Sequence, residues 1–161
     1  MTHSELVARA ARWLKNTQKC YIVLTESRTA VCSEEPDALG FKSGYSILVE
    51  CKASISDMRA DKKKEHRQLE ELGIGLERWL AVPYPLKDQA IKVIDETRGQ
   101  RLCDLTKWGL LAVAPKHVVV VRKSGRFLSR NSRGEIGHLC AEIIRVRPTS
   151  EFSEFEHGDG I

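Results

Sequence analysis

The chain has no apolar run approaching the roughly 20 residues needed to cross a bilayer. Its first residues, with Glu5, Arg9 and Arg12 spaced through them, lack the apolar block of a signal peptide. A soluble, cytoplasmic protein with no membrane partner is expected. Paired cysteines are missing too. Cys20, Cys32, Cys51, Cys103 and Cys140 make an odd count with no CxxC, and most lie in apolar stretches. That pattern fits reduced core cysteine and excludes a disulfide framework. The five histidines form no HExxH and no cluster with cysteine at zinc spacing, so a lone one such as His117 reads as structural. There is no glycine-rich phosphate loop, no GxSxG and no paired Cys/His nucleophile, which removes the common nucleotide-binding and acyl-transfer machineries. No internal repeat is present.

What is there is a chain of 161 residues, 42% hydrophobic and 30% charged, long enough to bury one core and too short to expect two. A single domain over residues 1–150 is expected, followed by an acidic, disordered tail over 151–161. The formal charge of +4 understates the body. All 26 basic residues but only 18 of the 22 acidic ones precede residue 151, leaving +8 there. A basic body permits nucleic-acid binding through counterion release, although a basic surface serving solubility alone gives the same number.

Apolar spacing predicts helix over residues 3–16, with Leu6, Val7, Ala10, Trp13 and Leu14 on one side and Thr2 or Ser4 as cap. Strands are predicted at 20–24, somewhere in 29–41, and at 45–52, the last entered through Ser43-Gly44. A helix capped by Ser56 is expected over 57–72, ended by Gly73 and Gly75. A short strand over 78–82, a helix over 87–97, and strands over 108–114 and 117–121 follow. A basic loop over 122–133 leads to a last helix over 135–146. This alternation predicts an α/β fold with a mixed central sheet flanked by helices.

Glu50-Cys51-Lys52 is the only Glu-x-Lys in the chain and closes the strongest strand. Side chains alternate across a strand, so Glu50 and Lys52 share one face while Ile47, Val49 and Cys51 share the other, apolar one. If Ser43-Gly44 is a two-residue turn, Lys42 pairs with Tyr45 and Asp37 falls opposite Glu50 on the same face; a three-residue turn puts it on the wrong one. Facing carboxylates repel unless a cation lies between them, and a hard divalent ion suits oxygen ligands. Asp37, Glu50 and the Cys51 carbonyl are therefore the candidate ligands of Mg²⁺ or Mn²⁺. Lys52 is the candidate to orient water or stabilise phosphate charge, and as a strand-end amine it is expected to be dispensable for folding.

Glu5 in a first helix, then Pro36-Asp37, then Glu50-Cys51-Lys52, resembles the PD-(D/E)XK nuclease superfamily. Val49-Glu50-Cys51-Lys52, Ser56-Asp57-Met58-Arg59-Ala60-Asp61-Lys62-Lys63, Trp79-Leu80-Ala81-Val82-Pro83 and Trp108-Gly109-Leu110-Leu111-Ala112-Val113 further resemble the MmcB family of DNA-repair-related proteins. Lys64 departs from that family's aromatic residue, and nothing after residue 122 matches it. The resemblance covers about three-quarters of the chain, residues 3–121. It implies a restriction-endonuclease-like αβββαβ core and a Mg²⁺-dependent endonuclease hydrolysing phosphodiester bonds in DNA, in repair or processing. It also implies that Glu5 supports a second metal or positions water, where the residue by itself reads as a helix-dipole partner. A homodimer is plausible on the same ground. The alternative is a non-catalytic nucleic-acid-binding module of the same fold.

Two sets of basic residues are candidates to follow phosphates. Arg59, Lys63 and Arg67 are spaced by four along the helix after the site, and Arg122, Lys123, Arg126, Arg130 and Arg133 lie in twelve residues without an acid. Asp61, Lys62 and Glu65 interrupt that helix's apolar stripe of Met58, Leu69 and Leu72, which costs stability unless they are paired or border a polar pocket.

Overall fold

The computed structural model describes residues 1–61, 64, 69–100 and 103–146. The tail over 151–161, and Lys62, Lys63, Glu65 and Arg67, lie outside the described residues.

The first helix, α1 (His3–Asn16), starts where expected because Thr2 caps it: the Thr2 hydroxyl accepts the Glu5 N–H at 3.2 Å and the Glu5 carboxylate accepts the Thr2 N–H at 2.7 Å. Its apolar face, Leu6, Val7, Ala10, Trp13 and Leu14, is buried. Each of the larger side chains there contributes about 1.5–3 kcal/mol by leaving water.

Six strands form one mixed sheet in sequence order: β1 (Ile22–Thr25), β2 (Ala38–Lys42), β3 (Tyr45–Cys51), β4 (Glu77–Pro83), β5 (Gly109–Val113) and β6 (Val118–Arg122). The β1–β2, β2–β3 and β5–β6 pairs are antiparallel, while β3–β4 and β4–β5 are parallel. Parallel neighbours need crossovers. The first carries α2 (Ile55–Asp61) and the second α3 (Lys87–Asp95); a last helix, α4 (Ser132–Val146), follows β6. The expected α/β architecture, a mixed sheet flanked by helices, is what the chain adopts.

The core lies on both faces of the sheet. On one, α1 packs on Ala38, Ile47, Val49, Cys51, Trp79, Ala81 and Leu111, with Trp13 edge-on to Trp79 at 5.1 Å. On the other, Met58 of α2 and Ala90, Val93 and Ile94 of α3 pack on Leu39, Leu48, Leu80, Val82 and Leu110. Gly109 lies under the Trp79 ring, and a Cβ there would come within 2.2 Å of it, so the indole requires glycine on the neighbouring strand.

The helix expected over 57–72 is shorter. It ends at Asp61; Lys64 lies in a bend, and Glu70–Leu72 form a separate 3₁₀ turn. The Arg78 side chain, fully buried, organises the segment from Glu70 to Gly75. Its guanidinium donates to the carbonyls of Glu70 (2.7 Å), Gly73 (2.8 Å), Ile74 (3.0 Å) and Gly75 (3.3 Å) and lies over the Phe127 ring, so this segment's carbonyls serve an arginine cage. The loop expected over 122–133 is also narrower, since Arg122 ends β6 and α4 begins at Ser132. No described helix is long and apolar enough to cross a membrane.

Candidate functional site

The Ser43-Gly44 turn is the two-residue form. Lys42 pairs with Tyr45 and Ala38 with Val49, where the register ends, so Asp37, in a bend just before β2, lies at the end of the sheet where Glu50 stands in β3. Gly44 supplies the positive φ of 82° that the turn requires. The Asp37 Oδ2 accepts the Cys51 N–H at 2.7 Å, tying the residue before β2 to the last residue of β3. Asp37 lies within electrostatic reach of Glu50 and Lys52.

Lys52 is not a solvated strand-end amine. Its side chain is 5% exposed, and its Nζ lies 3.3 Å from Glu50 Oε2 and 3.0 Å from Asp61 Oδ1. Both carboxylates are buried, and Asp61 also receives Lys64 Nζ at 2.9 Å. Asp61 was legible only as a polar interruption of an apolar stripe; as the last residue of α2 it points to the sheet and completes an ion network with β3. Asp37, at 18%, is the most exposed of the carboxylates and opens the site. It lines a small cleft of about 160 Å³ with Glu26, Arg28, Glu35 and Pro36. Arg28 pairs with Glu35 at 3.1 Å, so the entrance is acidic. The larger clefts, about 390 Å³ along α1 beside Pro115 and about 360 Å³ beside α4, contain none of Asp37, Glu50 and Lys52.

Burial, and then the Glu50 charge, push the Asp37 carboxyl above the usual aspartate range, against the opposing pull of the Cys51 amide, Lys52 and His3. Burial, with Asp37 and Glu50 nearby, pushes the Cys51 thiol well up. Its sulfur therefore stays protonated and is neither nucleophile nor thiolate ligand. Glu5 does not join this group: its carboxylate is engaged in the helix cap and lines the cleft beside Arg9 and Arg12. The α1 residue that reaches the site is His3, whose Nε2 lies 3.3 Å from Asp37 Oδ1.

Asp37 and Glu50 supply oxygen donors of the kind that hard divalent ions take. Among the described residues there is no group of three or more His, Cys, Asp or Glu set to hold a metal. Mg²⁺, however, is commonly bound through one or two carboxylates, with water and phosphate oxygens completing the shell. Two like charges near enough to raise the Asp37 pKa are the arrangement that such a cation relieves.

Several of the basic candidates are engaged within the protein. Arg59 pairs with Glu96 at 3.4 Å, Arg122 with Asp95 at 3.0 Å, and Arg130 with Glu135 at 2.9 Å. The Arg126 backbone forms an isolated antiparallel β-bridge with Glu77, which leaves its side chain uncommitted by that contact, and Lys123 follows β6 directly.

A second polar cluster holds the loop that carries Asp37. His138 of α4 is fully buried. Its Nε2 lies 3.1 Å from the Glu34 carbonyl, which only accepts, so Nε2 bears the proton and Nδ1 accepts the Ser27 hydroxyl at 3.0 Å. The Glu34 carboxylate accepts the Ile74 N–H at 2.7 Å, and Glu135 accepts the Gly75 N–H at 2.9 Å. One imidazole thereby clamps both ends of the connection between β1 and β2. Nothing in the local sequence pairs His138 with Ser27, 111 residues away.

No family model matches the chain. No curated protein sequence matches it either. Among solved structures, SPO1766, a protein of unknown function from Silicibacter pomeroyi, is similar at a TM-score of 0.62 and 19% identity, covering 100% of this chain and 97% of that one. At that identity the likeness concerns the fold: a mixed α/β architecture with a six-stranded sheet flanked by helices.

Proposed function

We propose that the chain is a metal-dependent nuclease hydrolysing phosphodiester bonds in DNA, of the PD-(D/E)XK type and near the MmcB family. The observation that carries this reading is the placement of Asp37 at the sheet end where Glu50 stands, with Lys52 against Glu50, at the open end of a hairpin that runs into a parallel crossover. Among the described residues, the order of α-helices and strands up to β4, α1-β1-β2-β3-α2-β4, supports the restriction-endonuclease-like core.

In this reading Asp37 and Glu50 hold Mg²⁺ or Mn²⁺, which when bound supplies Lewis-acid polarisation of a phosphoryl oxygen and lowers the pKa of water. The cleft at Asp37 sets Glu26, Glu35 and Asp37 against the single Arg28, an acidic balance that would disfavour a phosphodiester unless a divalent cation offset it. The Cys51 amide fixes Asp37 Oδ2 and directs Oδ1 to the opening, where His3 lies. Lys52, positioned by Glu50 and Asp61, would be the amine that stabilises charge developing on phosphate, and Lys64 pairs with the same Asp61 carboxylate.

The near-complete burial of Glu50 and Lys52 favours a second reading, a nucleic-acid-binding module of the same fold whose trio is a structural ion network. A screen of linear, nicked, branched and single-stranded DNA with Mg²⁺ and Mn²⁺ separates the two. Metal-dependent cleavage of at least one substrate supports the nuclease, whereas binding without cleavage of any leaves the module.

A further inference from the structure

The face that α4 turns to the body is its polar one. Glu135 and His138 are buried there with Gly134, held by the bonds to Gly75, Arg130, Glu34 and Ser27. The apolar side chains face outward: Ile136 is 61% exposed, Ile143 60%, Ile144 58% and Val146 61%. Ile22 at the start of β1, 46% exposed, borders the same surface, and a cleft of about 360 Å³ runs between it and Leu139, Ile143 and Val146. A helix on a globular protein ordinarily buries its apolar stripe. Here the stripe is left out, and Ile136, Leu139, Ile143 and Val146 fall at intervals of three, four and three, the spacing of a two-helix seam.

We propose that this face is an interface between two copies of the chain, α4 lying antiparallel on α4 about a twofold axis near Ala141. The stripe is self-complementary in that orientation. Ile136 meets the partner's Val146, and Leu139 meets the partner's Ile143, so each layer pairs an apolar residue with an apolar residue. Glu142 lines the same cleft beside Ile143, and its charge is offset within the helix by Arg145, whose Nε donates to it at 2.9 Å. Ile22, Ile136, Leu139, Ile143, Ile144 and Val146, contributed twice, approach the burial of about 1,000 Å² that a specific interface needs. An apolar patch of this extent left in water is unusual for a monomer. Because His138 clamps the loop carrying Asp37, the same helix would fix the two candidate sites relative to one axis. The interface itself is independent of the reaction at Asp37.

Light scattering on the full chain tests it. Wild type is expected at twice 18.2 kDa. Ile136→Glu and Ile143→Glu, at exposed positions and with unchanged circular dichroism, are expected to return to 18.2 kDa. A monomeric wild type at high micromolar concentration overturns the proposal. A dimer that survives both substitutions does so as well, because its interface lies elsewhere. A monomer that dimerises only after removal of residues 151–161 also overturns it, since the chain's own C-terminal segment then covers this face.

Discussion

The Lys52 Nζ lies 3.0 Å from Asp61 Oδ1, joining the residue that follows β3 to the last residue of α2 inside the protein. Both side chains are nearly inaccessible, and Glu50 shares the same ammonium at 3.3 Å. Removing one partner of a buried ion pair strands the other charge, which costs about 3–5 kcal/mol.

Lys52→Ala is therefore expected to lower the unfolding free energy by about 3 kcal/mol, against the simpler expectation of a dispensable amine. Urea unfolding of wild type and variant measures this. Under folded conditions, cleavage is expected to fall by about 10²–10³, the usual cost of a lost charge-stabilising donor. A stability change below about 1 kcal/mol would mean that the ammonium is solvated and the network weak.

The Asp37 carboxyl is raised above its ordinary value by burial and by Glu50, so the metal-free folded chain holds its proton more tightly than the unfolded chain. The contribution to stability is then fully present below the ordinary aspartate range and is lost as pH rises through the raised folded value. Asp37→Asn is expected to melt higher than wild type at neutral pH without metal, with the difference closing as pH falls into the ordinary aspartate range. Mg²⁺ should reverse the order, because only wild type gains binding energy from it. Thermal melts across pH, with and without Mg²⁺, read both effects. A variant that melts below wild type at every pH without metal would show that the Cys51 contact outweighs the repulsion.

Charge removal in the basic segment should sort by partner. Arg122 and Arg130 are committed to Asp95 and Glu135, so their replacement by glutamine is expected to lower stability more than DNA affinity. Lys123→Gln with Arg133→Gln is expected to weaken binding to all sequences alike and to reduce the slope of log affinity against log salt by up to about two. Affinity measured over a salt series decides; an unchanged slope for the Lys123 and Arg133 pair would assign those charges to solubility.

Periodicity carried much of the fold. The apolar stripe and capping residues of α1, the turn at Ser43-Gly44 and the alternation of β3 are local signals, and together they place Asp37 at the sheet end where Glu50 stands. What periodicity missed is set by contacts between residues distant in sequence. Arg78 reads as one more strand residue, yet its guanidinium collects four carbonyls between Glu70 and Gly75, where helix was expected to run on to residue 72. Lys52 reads as a strand end, and only the return of α2 over the sheet buries it against Asp61. Glu5 matches a motif position, but its nearest donor is the Thr2 amide, and His3, two residues earlier, meets Asp37 instead. The outward apolar stripe of α4 was invisible because spacing fixes a helix face without saying which face meets the body.

The most direct test of the nuclease account is the cleavage of a labelled DNA panel in Mg²⁺ and Mn²⁺ by wild type beside Asp37→Asn and Glu50→Gln, each confirmed folded by circular dichroism. The account predicts that wild type cuts at least one substrate only with divalent metal, that chelator stops it, and that both variants still bind DNA but lose at least about a hundredfold in rate. Equal cleavage by wild type and Asp37→Asn, or DNA binding by wild type with no cleavage under either metal, would contradict it.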